Sequence, residues 1–220
     1  MENCLIRNAD YLVAVKPPQL CSEELPDGNG FCDRLRAENP GFLAPVYRLD
    51  RGVGGVILYA RTPEAAAFFS ALVRDHALEK EYIAVLCGTP EQASGEMRDL
   101  LYFDRRKNKS YVVSRPRGGV KEAVLSYRVL DAWRDAVSGR PRTLVAVRLK
   151  TGRTHQIRVQ FASRGMPLLG DRRYGGAANP ESRDISLWCR SISLPAYRGH
   201  PAAVAESEPP FGKERGTNVD

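Results

Sequence analysis

Short extended segments outnumber helices in this sequence, and this ratio restricts the folds that the chain can adopt. Residues 12–16, 82–86 and 143–149 are rich in β-branched and aromatic residues, and Pro or Gly follows each of them within a few positions. These strands do not alternate regularly with helices, as a parallel α/β sheet would require. The pattern therefore predicts an α+β fold with a mixed, largely antiparallel sheet flanked by helices and loops.

The clearest helical signal begins at Thr62. Thr62 is a good N-cap and Pro63 suits the first helical position. Phe68, Phe69 and Leu72 then follow on one apolar face, which we expect to lie in the core. We also expect helices at Phe31–Glu38 and 154–164 and extended segments at 46–49, 55–61 and 185–194, with strands across 97–131 interrupted near Arg105 and Arg106.

A length of 220 residues fits a single domain. We expect one catalytic domain over residues 1–200 and a poorly ordered tail over residues 201–220, which is rich in Pro, Glu, Gly and Ala. No stretch has the length and apolarity of a transmembrane helix, and the first residues lack the regions of a signal peptide. These features predict a cytoplasmic protein with no membrane partner, and we expect a monomer.

The five cysteines are scattered and never stand in C-x-x-C spacing, so neither a disulfide framework nor a metal site is expected. The net charge is +7, and 26 of the 33 basic residues are arginine. Arginine suits phosphate and base stacking, which favours a nucleic-acid partner. The alternative is a solvated basic face with a composition set by the genome.

One carboxylate stands at an unusual place in the chain. Asp50 lies between Arg48 and Arg51, next to a glycine-rich turn at Gly52–Gly55. Neighbouring arginines would keep the acid ionised, and an ionised, positioned aspartate can act as a nucleophile or base. The alternative is an aspartate that caps its own turn.

A second constellation follows the strand at 143–149. Thr151-Gly152 ends the strand, and Thr154 can cap the helix that follows. Arg153 and Arg158 are five residues apart and so face differently on a helix. One can therefore point towards phosphate while the other points inwards at an acid; the alternative is an ordinary basic surface helix.

Together these motifs resemble the RluA-type pseudouridine synthases. The first motif of that family, H-R-L-D-x-x-T-S-G, resembles residues 47–55, and its T-G-R-T/S-H-Q-I/L-R-V-H resembles residues 151–160. Three further segments match in order: residues 11–18 (YLVAVKPP), 80–85 (KEYIAV) and 167–175 (PLLGDRRYG). The similarity extends over about residues 5–195.

The resemblance implies a pseudouridine-synthase fold with a central active-site cleft. It implies that the protein isomerises uridine in structured rRNA or tRNA, with base flipping and without a cofactor. It assigns Asp50 as the catalytic aspartate, Tyr82 as the tyrosine that packs on the base and takes part in proton transfer, and Arg158 as the ion-pair partner of the acid. Arg48 matches the arginine that displaces the target nucleotide.

RNA contacts are also expected at three other arginines. Arg153 follows Thr151-Gly152, and Arg105 and Arg106 belong to a basic stretch; all three are expected to bind phosphates. We expect His155 to be structural, bonding the backbone at the corner before the helix. Asp171 and Tyr174 are expected to order the loop after the helix.

The sequence departs from the family pattern at several positions. Tyr47 and Gln160 replace histidines, Val53-Gly54 replaces Thr-Ser, and Trp188-Cys189 replaces His-Ala in the late L-H-A segment. These departures indicate a divergent branch. They also motivate an alternative function, a non-catalytic RNA-binding protein on the same scaffold.

Overall fold

The computed structural model describes residues 4–179 and 183–211. Three helices lie within this part of the chain: α1 (Phe31–Glu38), α2 (Pro63–Arg74) and α3 (Gln156–Ala162). The strands are β1 (Cys4–Arg7), β2 (Tyr11–Lys16), β3 (Ala44–Pro45), β4 (Gly54–Ala60), β5 (Lys80–Cys87), β6 (Ser94–Asp104), β7 (Lys109–Val113), β8 (Val120–Arg134), β9 (Pro141–Leu149), β10 (Leu187–Leu194) and β11 (Ala203–Glu206).

The strands form one sheet in the order β1-β2-β4-β10-β5-β9-β8-β6-β7, with β3 beside β4 and β11 beside β10. The pairing of β4 with β10 is parallel, and the other strand pairs of the described residues are antiparallel. The predicted mixed, largely antiparallel α+β fold is therefore confirmed.

Strand β10 lies at the centre of the sheet, although it comes late in the sequence. It pairs with β4 at Trp188–Gly54 and Cys189–Gly55, and with β5 at Cys189–Tyr82. Cys189 is completely buried. This strand therefore joins β4, which follows the turn of Asp50, to β5, which carries Tyr82.

Helix α2 forms as its sequence signals predict. The Thr62 hydroxyl accepts a hydrogen bond from the amide of Ala65 at 3.1 Å, and Pro63 opens the helix. Phe69 is completely buried, and Phe68 and Leu72 pack against the core. The predicted core face is confirmed.

Three sequence expectations differ from the structure. Residues 46–49 are irregular, and the paired residues in this region are the two of β3. Helix α3 begins at Gln156 rather than Thr154, because His155 has a left-handed backbone with φ of 56°. Residues 203–206 form β11 within the segment expected to be poorly ordered, because they pair with β10 and bury Ala205. Residues 212–220 lie outside the described residues.

Candidate active site

Asp50 lies in the turn that leads into β4. The backbone oxygen of Asp50 accepts a hydrogen bond from the amide of Val53 at 2.9 Å, which closes the turn before Gly54 starts the strand. The carboxylate is 27% exposed and lines a cavity of about 200 Å³. It is the only acidic side chain of the described residues in that lining.

Arg158 on helix α3 joins two carboxylates. Its Nη1 donates to Asp50 Oδ2 at 2.8 Å, while Nε and Nη2 donate to the two oxygens of Asp171 at 2.6 and 2.9 Å. Asp171 is 1% exposed, and the Arg158 side chain is 6% exposed. The fork of Arg158 is therefore held on one side by a buried acid and presents its remaining nitrogen to Asp50.

The charge balance of this trio keeps Arg158 protonated. Burial by itself lowers the pKa of Arg158, but the hydrogen bonds and charges of Asp171 and Asp50 raise that pKa above its usual value.

The contact of Asp171 with Arg158 was not predicted from the sequence, which assigned Asp171 only to ordering its loop. Asp171 stands in the segment that resembles a family motif, which was the available signal.

A tight corner positions Arg158. The side-chain oxygen of Gln156 accepts hydrogen bonds from the Thr151 hydroxyl and the Arg153 amide, both at 2.9 Å. The side-chain nitrogen of Gln156 donates to the backbone oxygen of Val124 at 3.1 Å. Because Gln156 is buried, these bonds anchor the first turn of α3 to β8 and set the direction of Arg158.

His155 faces the pocket, so the expectation that it bonds the corner backbone is wrong. Its Nε2 lies 3.7 Å from Asp50 Oδ2, and its Nδ1 lies 3.0 Å from the Tyr174 hydroxyl. Burial lowers the pKa of His155 below its usual value, although the charge of Asp50 acts in the other direction. A neutral imidazole therefore stands beside Asp50 at neutral pH.

Tyr82 lies on β5 and lines the same cavity as Asp50. Its side chain is buried beside the thiol of Cys189, and burial raises its pKa well above the usual tyrosine value. The phenol is therefore protonated at neutral pH, and its ring lines the cavity as an apolar face.

Tyr47, which replaces a histidine of the family pattern, is part of the same wall. Its hydroxyl donates to the backbone oxygen of Val56 at 2.9 Å, and Lys80 Nζ lies 4.4 Å from the centre of its ring. Burial lowers the pKa of Lys80. Tyr47 therefore places a buried polar ring in this wall, with a cation on its face.

Lys16 also lies near the acid, and sequence reasoning gave it no role. It is completely buried, and its ammonium donates to the backbone oxygens of Leu20 at 2.7 Å, Pro17 at 3.0 Å and Arg51 at 3.4 Å. The bond to the Arg51 oxygen fixes the backbone of the residue that follows Asp50 in the sequence. The charge of Asp50 also favours the protonated form of Lys16, but burial outweighs it and lowers the pKa of Lys16 to about 8.

The four arginines predicted to bind RNA occupy different places. Arg48 and Arg153 line the cavity; Arg48 is 65% exposed and pairs with Glu23 at 3.3 Å. Arg105 and Arg106 are exposed at the β6–β7 turn and do not line the cavity. The structure thus groups two of these arginines with Asp50 and leaves the other two on a hairpin.

The described residues contain no group of three or more His, Cys, Asp or Glu side chains arranged to hold a metal ion. In the same part of the chain, no helix combines the length and apolarity needed to cross a membrane.

Gln160 is the second residue that replaces a histidine of the family pattern. Its side-chain nitrogen donates to Asp99 Oδ2 at 2.7 Å, outside the cavity.

Comparison with known proteins identifies relatives in sequence. A family profile described as RNA pseudouridylate synthase matches residues 10–163. A ribosomal large subunit pseudouridine synthase D of Zymomonas mobilis is 35% identical over 169 residues, which are 77% of this chain and 50% of that protein. An RNA pseudouridine synthase 2 of rice, described as chloroplastic, is 34% identical over 60% of this chain and 29% of that protein.

This chain covers different fractions of the lengths of its relatives. An uncharacterised RNA pseudouridine synthase of Zymomonas mobilis is 32% identical over 71% of this chain and 68% of that protein. The chain spans half or less of the rice protein and of the Zymomonas mobilis synthase D.

Solved structures support the fold. Human RNA pseudouridylate synthase domain containing 1 superposes with a TM-score of 0.79 at 22% identity, covering 95% of this chain and 84% of that one. Human RNA pseudouridylate synthase domain containing 4 gives a TM-score of 0.73 at 21% identity, covering 95% and 89%. Since the profile match spans most of the chain and the ordered motifs agree with it, the chain belongs to the RNA pseudouridylate synthase family, in its RluA-type branch.

Proposed function

We propose that the protein is an RNA pseudouridine synthase, an isomerase that converts uridine to pseudouridine in structured RNA. The observation that carries the proposal is the ion pair of 2.8 Å between Asp50 and Arg158 in a cavity that Tyr82 also lines. The names of several curated relatives refer to the large ribosomal subunit. We extend the proposal to rRNA or tRNA as substrate, a cytoplasmic site of action, a monomer and a single catalytic domain over residues 1–200.

The reaction breaks the C1′–N1 bond of uridine, rotates the uracil and forms a C1′–C5 bond. A proton leaves C5 and N1 gains one, so atoms and charge balance without an oxidant or reductant. Asp50 acts as the nucleophile or stabilises the glycosyl cation, and both routes require the ionised carboxylate that Arg158 supports. A closed pocket holds the freed base until it is rejoined.

The target base must leave its stack to reach Asp50, which requires a few kcal/mol. Tyr82 offers a buried aromatic face for the extruded uracil, and its hydroxyl takes part in moving the C5 proton. Arg48, more than half exposed at the rim, enters the space that the base vacates. Arg153, Arg105 and Arg106 bind phosphates.

Tritium release tests the proposed function. RNA labelled with tritium at C5 of uridine is prepared from cells lacking the gene, so that it contains the unmodified target. The wild-type protein is expected to release tritium, and Asp50→Asn to release it at least about a thousandfold more slowly. Asp27→Asn, which changes an exposed carboxylate outside the cavity, is the matched control.

Tyr82→Phe separates the ring from the hydroxyl. It is expected to retain RNA binding but to slow release about a hundredfold, because the face remains and the proton-transfer group is lost. Robust release by Asp50→Asn would remove the role assigned to Asp50. RNA binding by the wild type without any new pseudouridine would favour the non-catalytic alternative.

A further inference from the structure

A second cavity, of about 240 Å³, adjoins the cavity of Asp50. The two share part of their walls, formed by Val73, Lys80, Leu149, Gly152 and Arg153. The two cavities therefore lie side by side, and Arg74 and His76 place the second one at the end of helix α2. A group that extends from a base seated beside Asp50 can enter this second cavity.

The second cavity has a basic lining. Arg74, His76, Lys80 and Arg153 contribute nitrogen-bearing side chains, and no carboxylate of the described residues lines it. The acidic neighbours lie outside this lining: Asp75 pairs with Arg74 at 3.3 Å where both side chains are largely exposed. Glu79, next to Lys80, lines a different depression.

Lys80 is the cation between the two cavities. No carboxylate of the described residues lies within ion-pair distance of its ammonium, which rests over the ring of Tyr47. Arg153 is tethered by a hydrogen bond of 2.8 Å from Nε to the backbone oxygen of Glu122. Lys80 therefore lacks a counter-charge among the described residues, and Arg153 is held at the wall of the cavity. Both features are expected for an anion site.

The C-terminus of helix α2 borders the second cavity, and it does not repel an anion there. A helix C-terminus carries partial negative charge on its last carbonyl groups. The carbonyls of Ala71, Leu72 and Val73 accept hydrogen bonds from the amides of residues 75–78. Arg74, at the last position of the helix, adds a positive charge.

We infer that this second cavity binds a backbone phosphate of the nucleotide next to the target uridine. The inference rests on the proposed function, because it requires a uridine in an RNA strand at Asp50. A nucleotide whose base enters the Asp50 cavity carries its linking phosphates just outside that cavity. The second cavity lies there, on the other side of the shared wall. The site thereby sets the direction in which the strand leaves the active site.

The test measures RNA binding separately from turnover. A fluorescein-labelled oligouridine RNA is titrated with Arg74→Gln, Lys80→Met and wild-type protein over a series of KCl concentrations, with fluorescence anisotropy as the readout. Each of the two variants is expected to bind about fivefold more weakly, and the slope of log affinity against log salt to fall by about 0.7. The control Arg34→Gln removes an exposed charge outside the cavity lining and is expected to change neither quantity.

Steady-state tritium release gives a second readout. In Arg74→Gln the KM for labelled cellular RNA is expected to rise more than kcat falls, because a flanking contact mainly affects binding. Salt slopes equal to that of Arg34→Gln in both variants would overturn the inference, as would failure of the wild type to bind the oligouridine. Wild-type protein that shows the expected salt slopes but releases no tritium would overturn the proposed function and leave the phosphate site standing.

Discussion

The ring of Trp188 occupies the space in which a side chain at position 54 would lie. A Cβ atom added to Gly54 would stand 2.3 Å from Cζ3 and 2.7 Å from Cε3 of that ring. The two residues pair directly on strands β4 and β10. Gly54 and Trp188, both departures from the family pattern, therefore depend on each other in packing.

Gly54→Ser is expected to destabilise the protein by about 1–3 kcal/mol, because the new side chain overpacks against Trp188. Trp188→His is expected to destabilise it by roughly 2 kcal/mol, because it removes buried ring volume and the hydrogen bond to the Ser207 oxygen. The double variant should be more stable than the sum of the two effects by at least about 1 kcal/mol. Urea unfolding of the four proteins measures this coupling.

Gly118→Ser supplies the control for that cycle, since no atom lies within 4 Å of a Cβ built there. Its effect should add to that of Trp188→His without coupling. Strict additivity of Gly54→Ser with Trp188→His would contradict the packing explanation.

Asp171→Asn tests whether the buried acid positions Arg158. The amide keeps the shape but removes the charge that holds two nitrogens of Arg158, so the third nitrogen is less well directed at Asp50. We expect kcat for tritium release to fall by about 10- to 100-fold. The free energy of unfolding should fall by about 1–3 kcal/mol, and the affinity for oligouridine should stay within about twofold.

Asp99→Asn is the matched variant, because Asp99 is a half-buried acid that bonds Arg164 outside the cavity. It should lower stability without lowering kcat. An equal kcat for Asp171→Asn and Asp99→Asn would show that Asp171 serves stability alone.

Lys16 predicts a pH dependence of stability in the alkaline range. Burial lowers its pKa in the folded protein to about 8, whereas the unfolded chain has a value of about 10.4. Between these values the unfolded chain binds a proton that the folded protein has released, so the Lys16 contribution to stability rises with pH. Relative to Lys16→Met, the wild type should gain about 3 kcal/mol between pH 8 and pH values above about 10.4.

Unfolding free energies of both proteins across this pH range measure the difference, which cancels the titration of other groups. Lys121→Met changes an exposed lysine and should show a flat difference from the wild type. A flat difference for Lys16→Met as well would mean that the ammonium is not destabilised in the folded protein.

Local signals were sufficient where structure is local. Helix α2 begins where Thr62 and Pro63 predict, and Phe31–Glu38 forms the predicted helix α1. The start of α3 was predicted too early, because His155 has a left-handed backbone that keeps residues 154 and 155 out of the helix, and its ring contacts the Tyr174 hydroxyl. Strand β11 was missed because its pairing partner, β10, determines it more than its own composition does.

In the candidate site too, motif residues were predicted and long-range contacts were not. Family motifs identified Asp50, Tyr82 and Arg158, and the structure brings them to one cavity. The contacts of Asp171 and Lys16 could not be predicted, because each depends on where distant backbone segments meet. Periodicity and spacing do not contain that information.

The central place of β10 has a consequence for how the chain reaches its native state. Strands β4 and β5 are neighbours of β10 on either side, so Gly54-Gly55 of β4 and residues 80–84 of β5 lack their β10 partners until residues 187–194 have been synthesised and inserted. Unpaired edges in a partly made chain invite pairing with other chains. Completion of the sheet is thus a late, long-range folding event, and Asp50 and Tyr82 acquire a common framework only when it occurs.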